Sequence, residues 1–491
     1  MSNPALYKHQ REAVRFAVQN NGQCALFHDP GLGKTRTCLE IFKHFRSIRS
    51  DIRLLVVCPL SLVNSAWGGD IKRFTDFSYA PFKDLGQLIP DIVVVNYEAL
   101  ISKRNLPKIE NLILKHDFMC VLDESSRLKN HKSVTTKTLL GTVQSFKHRI
   151  IASGTPMPNS ELELWGQINF IQPFMLHKSF YAFRNSHFHL ERNGRVMHLR
   201  GRFVTRDEMR EILSSGWRYT ITPGERSRLM DMIKPFTHWV KKEEALDLPE
   251  KIDEIREVTL SAKEQNAYDE MEEYLITEIE GTEIAVQVAL AKLMKLRQVT
   301  SGFLYSETHE AVEIGRSSKL KELEEILEEL GPQQVIIWVQ FHHEVRAVEK
   351  LIADKFASSK AVTLYSETKD KDDSIRRFQS GEAQYLIAHP KSAGHGLTFV
   401  NASVMVFLSL DYSYETHTQA RDRIHRIGQN KSCLYIYIVA KNTIDEELFL
   451  VLQKKRTLQE AVYALVRDRA KAKGHSVRKK AVSGRVDLQG G

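Results

Sequence analysis

CALFHDPGLGKTRTCLEIFKHF occupies residues 24–45. It joins an apolar run of strand length (24–27), a glycine-punctuated loop and an amphipathic stretch (37–45), the succession expected of strand, loop and helix. Gly33-Lys34-Thr35 reads as the end of a phosphate-binding loop. The full form, G-x-x-x-x-G-K-[ST], asks for another glycine five places before Gly33. His28 stands there, and Pro30 sits inside the loop. The triplet alone does not establish a nucleotide site, so its meaning depends on the rest of the chain.

Nine further apolar, β-branched runs accompany the first. LLVVC (54–58), DIVVVNY (91–97), FMCVLDE (118–124) and RIIAS (149–153) complete one group with CALF. QVIIWVQF (334–341), AVTLY (361–365), YLIAH (385–389), VMVFLSL (404–410) and CLYIYIV (433–439) form a second. Near-continuous rather than alternating runs suit strands of a parallel sheet covered on both faces. Amphipathic stretches such as KLKELEEILEEL (319–330) lie between most of them. The expected fold is therefore α/β, with two successive doubly wound parallel-sheet domains.

The 491 residues exceed one ordinary core. With 42% hydrophobic and 27% charged residues, the composition is that of a globular protein. No uninterrupted apolar stretch reaches the ~18 residues of a membrane span. MSNPALYKHQREAV lacks the apolar core of a signal peptide, so an intracellular, cytoplasmic chain with no membrane partner is expected. The five cysteines fall singly with no C-x-x-C pair, which argues for buried thiols over a zinc or disulfide framework. The net charge of +9 points weakly to an anionic partner.

About 170 residues between the strand groups carry no such runs and read as mostly helical insertions. Residues 175–240 are rich in His, Arg and aromatic residues; 262–298 read as helix, and DLPEK (247–251) marks the junction with the second domain. The expected division is 1–172, first sheet domain; 173–245, helical and basic insertion; 246–315, helical insertion and linker; 316–465, second sheet domain; 466–491, basic tail. VRDRAKAKGHSVRKK (466–480) has seven Lys/Arg against one Asp and reads as disordered, either solubilising or an electrostatic arm.

A P-loop needs help from elsewhere. Backbone N–H groups and Lys34 would hold phosphates, Thr35 would ligate Mg²⁺, and an acidic residue ending an apolar strand would complete the metal shell. FMCVLDE supplies it: Asp123 for the metal and Glu124 for the attacking water. Isolated, the pair could be a solvated strand end; with the P-loop earlier in the same group, the catalytic reading prevails. QARDRIHRIGQ (419–429) offers Arg423 and Arg426, three apart and so expected on one helical face, for the charge developing on the γ-phosphate.

Taken in order, these residues resemble the superfamily 2 helicase core, and more narrowly its Snf2-like group. LYKHQREAVRF (6–16) is similar to the adenine-reading Q motif, with Gln10 in the reading position; HDPGLGKT (28–35) resembles D-E-M-G-L-G-K-T. VVCPLSLVNSAW (56–67) resembles motif Ia, VVNYEAL (94–100) the T-Y-E strand, and DESSRLKN (123–130) motif II. SGTPMPNSELELWGQINFIQP (153–173) is similar to the T-G-T-P-L-Q-N run. In the second half, GFLY (302–305) and SSKLKELEEIL (317–327) resemble the linker region, IIWVQF (336–341) motif IV, SAGHGLTFVNAS (392–403) motif V and QARDRIHRIGQ motif VI. The likeness spans roughly 5–460. Ser126 replaces the usual His of motif II, Thr398 replaces Asn in motif V, and DYSY (411–414) replaces D-W-N-P. The Thr398 variant resembles the branch of annealing helicases and fork-remodelling motors, and a phage or bacterial member of it is expected.

The resemblance implies two tandem RecA-like domains with Snf2-type helical insertions, ATP and Mg²⁺ as cofactors, and a DNA-dependent ATPase that translocates on duplex or branched DNA. It implies nucleotide contacts at Gln10, Pro30, Gly31, Leu32, Gly33, Lys34, Thr35, Arg36, Asp123 and Gly396. Catalysis would fall to Lys34, Glu124, Arg423 and Arg426. DNA contacts would come from Ser61, Asn64, Lys129, Asn130, Gln340, Lys391, Ser392 and Thr398, largely independent of sequence. Without an evident histone-reading segment, a monomeric motor in fork or junction processing is expected, with replication or recombination proteins as partners. An RNA motor, an ATP-switched nucleic-acid clamp and the motor subunit of a nuclease system remain alternatives.

Overall fold

The computed structural model describes residues 5–453 except 159, 193, 199–204, 216, 281–285, 307, 391 and 393–396. Lys391, Gly396 and the basic tail lie outside the described residues. The chain forms two units. The first comprises residues 1–249, 394–400 and 422–430; the second comprises 250–393, 401–421 and 431–491.

The first unit is built on β1 (Gln23–His28), β2 (Arg53–Cys58), β3 (Tyr79–Pro81), β4 (Ile92–Asn96), β5 (Phe118–Asp123) and β6 (Arg149–Ala152). A small antiparallel sheet follows, of β7 (His189–Arg192), β8 (Arg195–His198) and β9 (Arg218–Thr220), then β10 (Thr237–Val240). The main sheet has the order β10-β1-β6-β5-β2-β4-β3, and its pairings are parallel. Side chains alternate between its faces, and both faces are covered. Phe27, Leu55, Val93, Cys120, Leu122 and Ile151 enter one core; Leu26, Val56, Val94, Met119, Val121 and Ile150 enter the other. Two-sided burial is the reason these strands read as unbroken apolar runs.

The second unit contains β11 (Lys251–Val258), β12 (Phe303–Tyr305), β13 (Ala311–Glu313), β14 (Val335–Trp338), β15 (Ala361–Leu364), β16 (Tyr385–Ala388), β17 (Val404–Phe407) and β18 (Cys433–Ala440). Its main sheet, β11-β18-β17-β14-β16-β15, is also parallel. All ten apolar runs are strands, and the two-sheet α/β reading holds. The five cysteines are free and buried. Among the described residues no helix is long and apolar enough to cross a membrane.

The stretch between the strand groups requires correction. Helices do occur there, at Phe180–His187, Pro223–Ile233, Ala262–Glu280 and Val286–Thr300. So do β7–β11, of which β10 pairs with β1 and β11 pairs with β18 at the sheet edges. An edge strand covers less core, so KIDEIREV (251–258) folds as a strand with only its last residue buried.

Candidate nucleotide site

β1 ends at His28, and the chain turns through 29–33 into helix α2 (Lys34–Ile48), which follows α1 (Lys8–Gln19). Cys38, Leu39, Ile41, Phe42 and Phe45 share one face of α2 and are buried against the sheet. Gly33 caps α2 at φ 73°, with no side-chain cap, and Gly31 stands at φ 87°. The N-terminus of a helix carries unsatisfied N–H groups and the positive end of the dipole, which favour an anion. A β-carbon on Gly33 would run into the Gln10 side-chain amide, and one on Gly31 would lie 2.9 Å from Arg426 Cβ. Backbone conformation and close approach therefore both demand glycine here.

Lys34 Nζ donates to the His28 carbonyl at 3.0 Å and lies 3.5 Å from that of Asp29. Thr35 beside it is half-buried. The Leu32 carbonyl accepts from Gln10 Nε2 at 3.2 Å and lies 3.0 Å from His9 Nε2, so α1 is pinned to the loop. Pro30 fills the space beside Gly154, where a β-carbon would approach it to 2.7 Å. The Arg36 guanidinium sits 3.9 Å over the Phe74 ring and near Glu40. His28 is buried, 2.9 Å from His238 of β10; burial holds its imidazole well below the usual range, reinforced by His238 and Lys34.

Asp123 ends β5 at the same carboxyl edge. Its Oδ2 accepts from Trp67 Nε1 at 2.9 Å, and its Oδ1 accepts from Glu124 N at 3.0 Å. Desolvation, then the charge of Glu124, pushes its carboxyl up to about 6, against the opposing charge of Lys34. Tyr97 Oη donates to its carbonyl at 2.9 Å. Glu124 adopts φ 53°, left-handed in a non-glycine residue, a strain of about 1–3 kcal/mol that collects at functional sites. Ser125 Oγ donates to Gln167 Oε1 at 2.7 Å, while Gln167 Nε2 donates to the Pro156 carbonyl at 2.6 Å. This joins DESSRLKN to the S-G-T-P stretch.

The arginines require a second correction. The helix Tyr414–Arg421 ends before Arg423 and Arg426, which lie on turns within a segment of the first unit. Lys242 explains the departure: its ammonium pairs with the buried Asp422 and donates to the His425 carbonyl at 3.0 Å, fixing a non-helical path. Both guanidinium groups nevertheless converge, through donation to the Leu397 carbonyl at 3.2 and 3.0 Å. Burial lowers Arg423 to about 10, with the Arg426 charge adding to the effect and Glu124 opposing it.

Four residues were missed. Trp67 holds Asp123, Lys242 holds Asp422, and Gln167 links two motifs. Half-buried Asp70 is pushed up to about 6 by desolvation, against the charges of Arg426, Arg73 and Arg36. Only Trp67 left a trace in the sequence, because a buried indole N–H needs an acceptor. Among the expected DNA contacts, Ser61, Asn64, Lys129 and Asn130 are exposed in the first unit, and Thr398 is half-buried there. Gln340 and Ser392 belong to the second unit; Gln340 N donates to Glu344 Oε2 at 2.8 Å.

The family pattern described as the SNF2-related domain matches residues 9–302, and that of the helicase conserved C-terminal domain matches 318–428. Putative protein p41 of Acyrthosiphon pisum secondary endosymbiont phage 1 is 26% identical over 88% of this chain and 92% of its own length. The Caenorhabditis elegans homolog of SWI/SNF-related matrix-associated actin-dependent regulator of chromatin subfamily A-like protein 1 is 25% identical over 92% of this chain and 61% of its own. The chain spans between 32% and 61% of the length of the first curated relatives it matches. A solved structure, the Sulfolobus solfataricus SWI2/SNF2 ATPase core in complex with dsDNA, is 22% identical over 96% of both chains, with a TM-score of 0.42.

Proposed function

The chain belongs to the SNF2-related domain family, and on that premise we propose that it is an ATP-driven motor that moves along duplex or branched DNA. The observation that carries this reading is the gathering, in one unit, of a glycine-cradled helix N-terminus, the Asp123–Glu124 strand end and two convergent arginines. The N–H groups of the 31–35 loop would hold the β- and γ-phosphates, the Gln10 amide would read the adenine edge, and Gly396 would add a nucleotide contact. Lys34 leaves its backbone carbonyls to reach the phosphates.

The site suits Mg²⁺: the Thr35 hydroxyl and the buried Asp123 carboxylate are hard oxygen donors, the kind that ion takes. When bound, the ion neutralises charge on the phosphate oxygens. Glu124 orients the attacking water and takes its proton. Arg423 and Arg426 stabilise charge developing on the γ-phosphate, an effect worth 10³–10⁵ in other nucleotide hydrolases. Closure around ATP and release on hydrolysis drive alternate gripping of phosphates by Ser61, Asn64, Lys129, Asn130, Gln340, Lys391, Ser392 and Thr398. Fork or junction remodelling alongside replication or recombination proteins is the cellular role we assign.

The test compares ATPase rates on single-stranded, duplex, forked and four-way DNA and on RNA, together with displacement of a third strand from a triplex. Hydrolysis on duplex DNA without displacement overturns the motor. Equal stimulation by every DNA shape overturns the branched preference.

A further inference from the structure

A pocket of about 710 Å³ in the first unit shares no lining residue with the nucleotide site. Leu60 and Asn64, which follow β2, line it together with Asn96 at the end of β4 and residues of the helix Leu106–Lys115. Its floor is apolar, from Val63, Leu85, Ile89, Val94 and Leu112. Its rim carries Lys83, Arg104, Lys108 and Lys115, all exposed. No aspartate or glutamate lines it, and among the described residues none of these four cations is paired with a carboxylate. His116 shares the rim; burial lowers its imidazole, and the charges of Arg53 and Lys115 add to the effect.

Four like charges around one cavity repel one another unless an anion joins them. A bare phosphate would leave the apolar floor unused. An acidic peptide would satisfy the cations, and its backbone the amides of Asn64, Gln87, Asn105 and Asn111 that also line the pocket, but its charged side chains would leave the apolar floor bare. A nucleotide engages all three: phosphate with cations, base face with floor, base edge with amides. The volume falls within the ~300–1,000 Å³ of small-ligand sites. We propose that this pocket holds one nucleotide of a nucleic-acid strand, its phosphate at Arg104 and Lys108 and its base on the apolar floor. The inference rests on the nucleic-acid reading above and adds a base-holding subsite to it.

The experiment follows binding of a fluorescein-labelled single-stranded oligonucleotide to the full chain by anisotropy across a salt series. Arg104→Gln with Lys108→Gln flattens the slope of log affinity against log salt by about 1.4, at ~0.7 per phosphate contact on a single strand. Arg104→Lys with Lys108→Arg restores the slope, which mere unfolding would not permit. Leu85→Ala weakens binding of the normal oligonucleotide several-fold and leaves an abasic one unchanged. An unchanged slope, or equal weakening on the abasic strand, overturns the proposal. Displacement by free dAMP or polyglutamate as efficient as by unlabelled strand also overturns it. If the wild type binds neither this strand nor a labelled duplex, the motor reading falls as well; if it binds the duplex but not the strand, or binds the strand and the variants match it, this inference falls alone.

Discussion

Lys242 and Asp422 form an ion pair with side chains only 4% and 10% exposed. The backbone N–H of the same lysine donates to Asp29 Oδ2 at 2.9 Å, next to the phosphate loop. One residue thus anchors both the loop and the segment carrying Arg423 and Arg426. Lys242→Met leaves Asp422 buried without its cation, and breaking such a pair costs about 3–5 kcal/mol. Urea unfolding measures the loss. Adding Asp422→Leu should recover much of it, and failure to recover would show that the pair is not what stabilises this region.

Gly33→Ala meets two penalties. The left-handed conformation costs an L-residue about 1–2 kcal/mol, and the new methyl would meet the Gln10 side-chain amide, which must swing off the Leu32 carbonyl. Thermal denaturation should register a lower midpoint, and ATP affinity should drop by at least tenfold in an equilibrium binding assay.

Lys34→Ala removes the ammonium that hangs over the loop. Its hydrogen bonds go to two backbone carbonyls of a half-buried loop, so stability changes by only about 1 kcal/mol. Loss of a charge that stabilises a transition state costs about 10²–10³ in kcat. A variant that keeps wild-type turnover on duplex DNA would remove Lys34 from the chemistry.

The pH dependence follows from Asp123. Its carboxyl is pushed up to about 6, so it is ionised above that pH and protonated below it. A protonated carboxyl is a poor metal ligand, so kcat/KM for ATP, which reports the free enzyme, should fall tenfold per unit as pH drops below about 6. Asp70 has a similar value, so Asp70→Asn is the control. If that change abolishes the acid limb, the assignment to Asp123 is wrong.

Much of this fold was legible because two-sided burial writes itself as uninterrupted apolar runs, and the glycine loop and FMCVLDE carry their own local chemistry. What escaped was either marginal or distant. β11 hides because an edge strand tolerates K-I-D-E-I-R-E. The turn at Arg423 and Arg426 escaped because its cause, Lys242, lies 180 residues from Asp422. Trp67 and Asp123 are 56 apart, and nothing at either position names the other. The three-residue spacing of the arginines correctly suggested a shared direction but for the wrong reason: a common carbonyl acceptor, not a helical face, unites them.

The chain changes unit after residues 249, 393, 400, 421 and 430. A polypeptide ending at Pro249 would keep the buried ammonium of Lys242 and lose Asp422, and would keep the Gly31 cradle and lose Arg426 packed against it. The N-terminal half is therefore not a transplantable module. A graft or gene fusion that exchanged the C-terminal half would have to bring a matching Asp422 and Arg426, so the two halves can change in evolution only as a co-inherited pair.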